Sequence, residues 1–170
     1  MGAAMSVTDN PRAALDDPLA VVEHMAIGNE WDFSRAVDDE ITLAIAGAQT
    51  NYQASFSWME DIRVLHIACA FEMTVPSSRL AEVQHLISSI NEQLWIGHFD
   101  VWDQNGLVMF RHALLLTGGV STSARQCEAV LGAALDSCER YYPALQFVVW
   151  AGKSAREALD AAMFETAGEA

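Results

Sequence analysis

The sequence has few basic residues, and those it has are scattered. Nine lysine and arginine side chains stand against 23 aspartate and glutamate side chains, which gives a formal net charge of −14. Eight of the nine are arginines, spread from Arg12 to Arg156, and no stretch of five residues holds two arginines. Because such a surface repels phosphate groups and anionic lipid headgroups, we expect no nucleic acid partner and no membrane partner.

Long apolar runs are also missing. Residues 1–17 contain neither the positively charged segment nor the apolar run of a secretion signal. The longest apolar run near the other end, Phe147 to Ala151, is far shorter than the roughly 18 residues that span a membrane. We therefore expect a cytoplasmic protein in which residues 1–15 form a disordered tail.

Cysteine is scarce, and its spacing matches no metal-binding pattern. The three cysteines are Cys69, Cys127 and Cys138, and none belongs to a Cys-x-x-Cys pair. Cys127 and Cys138 fall on one predicted helix, about 16 Å apart at 1.5 Å per residue, which is beyond the reach of a disulfide. We expect all of the cysteines to be buried free thiols.

Apolar side chains, by contrast, are abundant and regularly spaced. They make up 52% of the 170 residues, enough for one core, and we expect a single domain over residues 16–166. A first helix is predicted to begin at Pro18, capped by Asp16 or Asp17, and to end at Gly28 and Asn29. A period of two then predicts three antiparallel strands, around 41–45, 52–58 and 64–71, after a short strand at 32–36.

Helical spacing returns after Pro76. It predicts a second helix that ends at Gly97, and a third that follows the segment LTGGVSTS. Pro143 is predicted to begin a fourth helix, and Gly152 is predicted to lie on the packed face of that helix. The order helix, strands, helix, hairpin, helices indicates an α+β fold with an antiparallel sheet.

The predicted hairpin surrounds the pair Asn105-Gly106 with two histidines, two aspartates and an arginine. Alternating residues on both sides predict a two-residue type I′ turn. The implied pairs are Asp103 with Val108, Val101 with Phe110, Asp100 with Arg111, and Phe99 with His112. One face then holds Phe99, Val101, Val108, Phe110 and His112, and the other holds His98, Asp100, Trp102, Met109 and Arg111.

These faces argue against a metal or acid/base site at the hairpin. His98 and His112 point to opposite sides of the sheet, so they share a metal only if one strand has a bulge. Asp100 and Arg111 are interpreted as a cross-strand ion pair. The same register places Trp102 directly across from Met109.

The other candidate residues show no catalytic spacing. His66 is interpreted as an exposed or partner-facing residue of the sheet. The TGGVSTS segment could offer backbone amides to an anion, but no Gly-Lys-Ser/Thr follows it directly, and a connector is the simpler interpretation. No serine or cysteine lies in a nucleophile elbow. We expect no catalytic residue, no bound metal and no cofactor, and therefore no enzyme.

Two segments resemble the bacterial YbjN family of sensory transduction regulators. They are SSINEQLWIGHFDVWDQNGLVMFRHALLL and CERYYPALQFVVWAGKSAREALDAA. The matching positions are Asn91, Gly97, Phe99, Gly106 and Arg111 in the first segment, and Tyr142, Pro143, Ala144, Gly152, Lys153 and Ser154 in the second. Weaker similarity runs through residues 18–90, so the resemblance covers most of the chain.

The resemblance implies a type III secretion chaperone-like fold. In that fold a twisted antiparallel sheet, here of about five strands, has its helices packed mainly on one face. The resemblance also implies a non-enzymatic cytoplasmic protein linked to stress response or signalling, which acts by binding other proteins. It supplies no catalytic residue to transfer to this chain.

Two functions remain open. The first is a protein-binding module, as a homodimer or with another protein, whose interface contains Trp102 and Met109 with Asp100 and Arg111 as its polar rim. The alternative for these residues is that a helix covers the second face of the sheet and buries them within the monomer. The second function is a small-ligand or anion sensor with a pocket between sheet and helices, near His112 or the TGGVSTS segment.

Overall fold

A computed structural model describes residues 17–167, the last three by their backbone alone. Its elements in chain order are α1 (Pro18–Gly28), β1 (Asp32–Val37), β2 (Glu40–Ala46), β3 (Asn51–Met59), β4 (Val64–Thr74), α2 (Leu80–Asn91), β5 (His98–Trp102), β6 (Leu107–Leu115), α3 (Ala124–Val149) and α4 (Ala155–Ala167). The strands form one antiparallel sheet in the order β1-β2-β3-β4-β6-β5. The predicted tail, residues 1–15, lies outside the described residues.

Helix α1 begins and ends where the sequence predicts. The Asp17 carboxylate accepts the N–H of Leu19 at 3.0 Å, and Pro18 occupies the first turn, where its missing N–H costs no helix bond. At the other end, the side chain and the backbone N–H of Asn29 both donate to the carbonyl of Met25. The helix therefore stops there and turns its buried face, which includes Val22, onto the sheet.

The sheet has one covered face and one open face. Alternate strand residues such as Leu43, Phe56 and Ile67 are buried in one core with side chains from all four helices, and each such side chain stabilises the fold by about 1.5–3 kcal/mol. The residues between them point to the opposite face and are mostly small or polar. The predicted α+β fold is confirmed. It has six strands instead of about five, because the short segment predicted at 32–36 is a full edge strand.

Pro143 lies inside α3 and does not begin a new helix, contrary to the prediction. Proline has no N–H, so the carbonyl of Glu139, four residues earlier, loses the partner that residue 143 would otherwise supply. The side-chain amide of Gln49, in the turn between β2 and β3, donates to that carbonyl at 3.1 Å. The helix therefore continues to Val149. Neither α3 nor any other helix in the described part of the chain has both the length and the apolar character needed to cross a membrane.

Gly152 lies in the connection between α3 and α4, so its predicted place on a packed helix face is wrong. Its φ is +69°, and a Cβ built on it would meet no atom within 4 Å. The residue thus meets a need of backbone conformation and not one of close packing. Arg79, just before α2, fixes this connection by donating to the carbonyls of Val148 at 2.9 Å and Lys153 at 2.5 Å.

The cysteines are buried and free, as predicted. Cys69 on β4 and Cys138 on α3 meet in the core, a contact that the sequence analysis did not anticipate. A hydrogen bond with Cys69, followed by burial, raises the pKa of the Cys138 thiol. A thiol held protonated in this way is a poor nucleophile.

Candidate interaction surface on the open face of the sheet

The hairpin of β5 and β6 pairs two residues away from the predicted register. Phe99 lies opposite Phe110, Asp100 opposite Met109, Val101 opposite Val108, and Trp102 opposite Leu107. The turn therefore has four residues, 103–106, and not two. Its carbonyl at Gly106 accepts the N–H of Val75 at 2.9 Å, and the Gly106 backbone lies against that residue. This contact with the residue that follows β4 stabilises the four-residue turn. It comes from a distant part of the chain, so the local sequence does not predict it.

Because the shift is even, each hairpin side chain keeps its predicted face. Phe99, Val101, Val108, Phe110 and His112 lie on the covered face, and His98, Asp100, Trp102, Met109 and Arg111 lie on the open face. His98 and His112 thus point to opposite sides of the sheet. Within residues 17–167, no three His, Cys, Asp or Glu side chains come together at metal-binding geometry.

The strand register aligns the open-face side chains in rows that cross the sheet. One row, from β1 to β5, consists of Asp32, Ala44, Gln53, Ala70, Met109 and Asp100. The adjacent row consists of Ser34, Thr42, Ser55, Ala68, Arg111 and His98. Short side chains predominate in the middle of both rows, so the centre of the face is low and its hairpin side is raised.

Arg111 links three strands on the open face. Its Nη1 lies 3.1 Å from Oδ2 of Asp100 on β5, and its Nε donates to Nε2 of His66 on β4 at 3.2 Å. The predicted ion pair is therefore present, although its partners are diagonal neighbours and not directly opposed. His66 accepts this bond only when neutral, and burial, followed by the charge of Arg111, lowers its pKa. Since both charged side chains are about a third exposed, their attraction contributes at most about 1 kcal/mol.

Trp102 and Met109 differ in exposure. Trp102 is 49% exposed, whereas Met109 is 3% exposed even though it lies outside the core beneath the helices. Met109 sits in its row between Ala70 and Asp100. The predicted direct pairing of Trp102 with Met109 is wrong, and so is the alternative in which a helix buries both. Trp102 is the residue of this pair that exposes apolar surface to solvent.

The two edges of the sheet are unequal. At the β5 edge, the Asn91 side chain accepts the N–H of Phe99 at 2.8 Å and donates to its carbonyl at 3.0 Å, as a neighbouring strand would. The Asp100 carboxylate accepts the N–H of Val101 at 2.9 Å. At the other edge, every residue of β1 is exposed. The side chain of Asn91 thus closes the β5 edge to strand pairing.

A cavity of about 740 Å³, here called the open-face cavity, lies beside the hairpin. Its floor is formed by Ala44, Ala46 and Ala70, and its polar lining by Asp32, Asn51, Gln53, Glu72 and Thr74. The cavity is on the other side of the sheet from the predicted pocket, and neither His112 nor residues 117–123 line it. Sequence reasoning missed its polar residues because they come from three strands, β1, β3 and β4, and only the register brings them together.

The TGGVSTS segment leads into a well-capped helix. The Ser123 side chain accepts the N–H of Gln126 at 3.3 Å, and the Gln126 side chain accepts the N–H of Ser123 at 2.9 Å. This reciprocal capping box uses amides that an anion would need. The geometry favours the connector interpretation of this segment over the anion site.

Comparison with known proteins finds one matching family and similar solved structures. The family model YbjN, described as “Putative bacterial sensory transduction regulator”, matches residues 18–147. ExsC, in the “Crystal Structure of the ExsC-ExsE Complex”, is similar with a TM-score of 0.50 and 18% identity, over 81% of this chain and 94% of that chain. The “Crystal structure of YbjN, a putative transcription regulator from E. coli” is similar with a TM-score of 0.53 and 10% identity, over 88% and 94%. No curated protein sequence matches.

At these identities the two structures show a shared fold and nothing more. The family model is the stronger finding, because it extends from the start of α1 almost to the end of α3. It includes the Asn91 and Arg111 positions on which the resemblance in the sequence depends. The chain belongs to the YbjN family of bacterial regulators.

Proposed function

We propose that the chain is a cytoplasmic, non-enzymatic regulator that binds another protein through the open face of its sheet. The main evidence is the half-exposed Trp102 beside the Asp100–Arg111 ion pair, on the face opposite the one against which the four described helices pack. An aromatic anchor next to a charged rim is typical of protein interfaces. The regulator description of the family and the ExsC–ExsE complex of a similar fold support this proposal.

Each of the four residues has a distinct role in the proposal. Trp102 supplies the apolar contact, and Asp100 with Arg111 orients the partner through the polar rim. Met109 is buried and lies opposite Asp100, so it supports the rim from within and does not touch the partner. His66 holds the Arg111 guanidinium from its other side.

A second copy of the chain is one candidate for the partner. A two-fold axis through the hairpin would pair two identical patches, each with one tryptophan and one ion pair, as isologous dimers require. A homodimer and a complex with a different protein use the same surface in this proposal. One substitution therefore tests both.

The test compares Trp102→Ser with Trp150→Ser, since Trp150 is 61% exposed and belongs to the helical side of the molecule. Sedimentation equilibrium measures the dimer, and capture from the native cell extract with the purified chain measures other partners. We expect Trp102→Ser to lose the dimer or the captured protein with an unchanged thermal midpoint, and Trp150→Ser to behave as the wild type. If Trp102→Ser keeps the dimer and the captured protein, the interface does not include Trp102.

A further inference from the structure

The polar side chains of the open-face cavity are unused by the fold. Asp32, Asn51, Gln53, Glu72 and Thr74 make no side-chain hydrogen bond and no ion pair within the described part of the chain. The hairpin side of the same face differs, because there Arg111 is bonded to both Asp100 and His66. The cavity thus presents five polar groups that are free to meet a ligand.

The charge of the lining selects the sign of that ligand. Two carboxylates, Asp32 and Glu72, stand among neutral amides and a hydroxyl, and no arginine, lysine or histidine among residues 17–167 lines the cavity. Arg111, which lies in the adjacent row of the same face, is already paired with Asp100. A negatively charged ligand would meet repulsion both here and from the net charge of −14. The lining therefore fits a cation. It does not fit an anion, the class of ligand that the sequence analysis considered for a pocket between sheet and helices.

The spacing of the two carboxylates selects the shape of the ligand. Asp32 is on β1 and Glu72 on β4, three strand spacings apart, and Glu72 lies two residues along β4 from Ala70, which shares the row of Asp32. Their backbones are therefore roughly 16 Å apart. Between them lie alanines on β2 and β4, with the amide side chains of Gln53 and Asn51 on β3 in the middle. Methyl groups accept an alkyl chain without competing for hydrogen bonds, and the amide oxygens accept N–H groups along it.

We propose that the open-face cavity binds an elongated cation with an ammonium group near each end. One end is held by Asp32 and the other by Glu72, and the alkyl stem crosses the alanines of β2 and β4 and the amide side chains of β3 between them. A linear oligoamine has this chemistry, and so do two lysine side chains of an extended protein segment. The site is independent of Trp102 and goes beyond the proposed protein-binding function.

Isothermal titration of the full-length chain with linear diamines, triamines and tetraamines tests the proposal, at about 0.15 M salt to screen diffuse attraction. We expect saturable binding at one site, with affinity rising once the amine is long enough to reach both carboxylates. Asp32→Asn and Glu72→Gln should each weaken binding about fivefold. The matched control, Glu128→Gln with Asp136→Asn, removes two exposed charges from α3 and should leave the affinity unchanged.

Further probes separate the sources of the cation and the role of the floor. A peptide with two lysines that binds where free amines do not would identify a protein segment as the source, and the reverse would identify a small molecule. Ala70→Leu should block the floor and weaken binding without any change of charge, and Trp102→Ser should leave amine binding intact. The proposal is overturned if no amine or lysine peptide saturates the chain, or if the α3 control weakens binding as much as Glu72→Gln does.

Discussion

Met109 and Trp102 show how one face of a sheet gives neighbouring apolar side chains different roles. Met109 is buried and Trp102 is half exposed. Removing the Met109 side chain leaves a void and a buried hydroxyl, so we expect Met109→Ser to lower the free energy of unfolding by about 2–4 kcal/mol. Trp102→Ser should change it by less than about 1 kcal/mol. Urea unfolding of both variants measures the difference, and equal losses would contradict the roles assigned here.

Gly152 tests whether conformation alone can require a glycine. Its positive φ disfavours any side chain, although the space around it is empty. We expect Gly152→Ala to lower the free energy of unfolding by about 1–2 kcal/mol. Gly28 is the control, because a Cβ there also meets nothing within 4 Å and its φ is not positive. Gly28→Ala should be neutral or stabilising in the same thermal melt, and a similar loss in both variants would point to a cause other than φ.

Among the elements, β5 depends on one side chain from α2. Asn91 satisfies both backbone groups of Phe99, which is itself buried. Asn91→Ala should lower the free energy of unfolding by about 1–3 kcal/mol and leave an open strand edge that self-associates. Urea unfolding and light scattering measure the two effects. Asn105→Ala, which removes one exposed bond to Leu107, should show neither. If Asn91→Ala resembles it, the β5 edge is protected in another way.

The sequence predicts most of the elements because their signals are local. The cap at Asp17 and the proline after it begin α1, and a period of two marks β2, β3 and β4. The faces of the hairpin residues are also predicted, since an even shift in register leaves them unchanged. Wherever a distant residue supplies a bond, prediction fails. The Gln49 side chain bonds to the carbonyl that Pro143 leaves without a partner in α3, and the backbone N–H of Val75 bonds to the turn at Gly106.

The candidate site divides in the same way. The ion pair of Asp100 and Arg111 is predictable, because both residues belong to one hairpin. The bond from Arg111 to His66 and the lining of the open-face cavity join residues from strands that are distant in sequence. No local pattern contains their pairing, and only the register of the whole sheet gives it.

For the whole molecule, two histidines link stability to pH. The pKa values of His66 and His112 both lie below 6.5, and burial of the imidazole rings is the largest cause. As the pH falls below 6.5, the unfolded chain binds protons that the folded chain does not, so the free energy of unfolding decreases until the folded pKa values are passed. Above 6.5 this contribution is fully present.

Urea unfolding at about pH 7.5 and about pH 5.5 measures this dependence. It compares the wild type with a double variant that carries His66→Gln and His112→Gln. We expect the wild type to lose more stability than the double variant over that interval. His24→Gln is a suitable control, because His24 is exposed on α1 and its ring bonds to the carbonyl of Ala20 in its own helix. An equal loss in the wild type and the double variant would show that other groups control the acid sensitivity.

The strand order also has a kinetic consequence. Every pairing joins strands that follow one another in the chain, except that of β4 with β6, which spans α2 and β5. Bringing β4 and β6 together closes a loop of about thirty residues. The chain loses the conformational entropy of that loop before the contacts between the two strands form. The meander and the hairpin can each assemble from local contacts, so the search for their mutual alignment sets the folding time. In stopped-flow refolding, Val108→Ala on β6 should therefore slow folding, whereas Ile41→Val on β2 should mainly speed unfolding; equal slowing by both would mean that the meander itself is the late step.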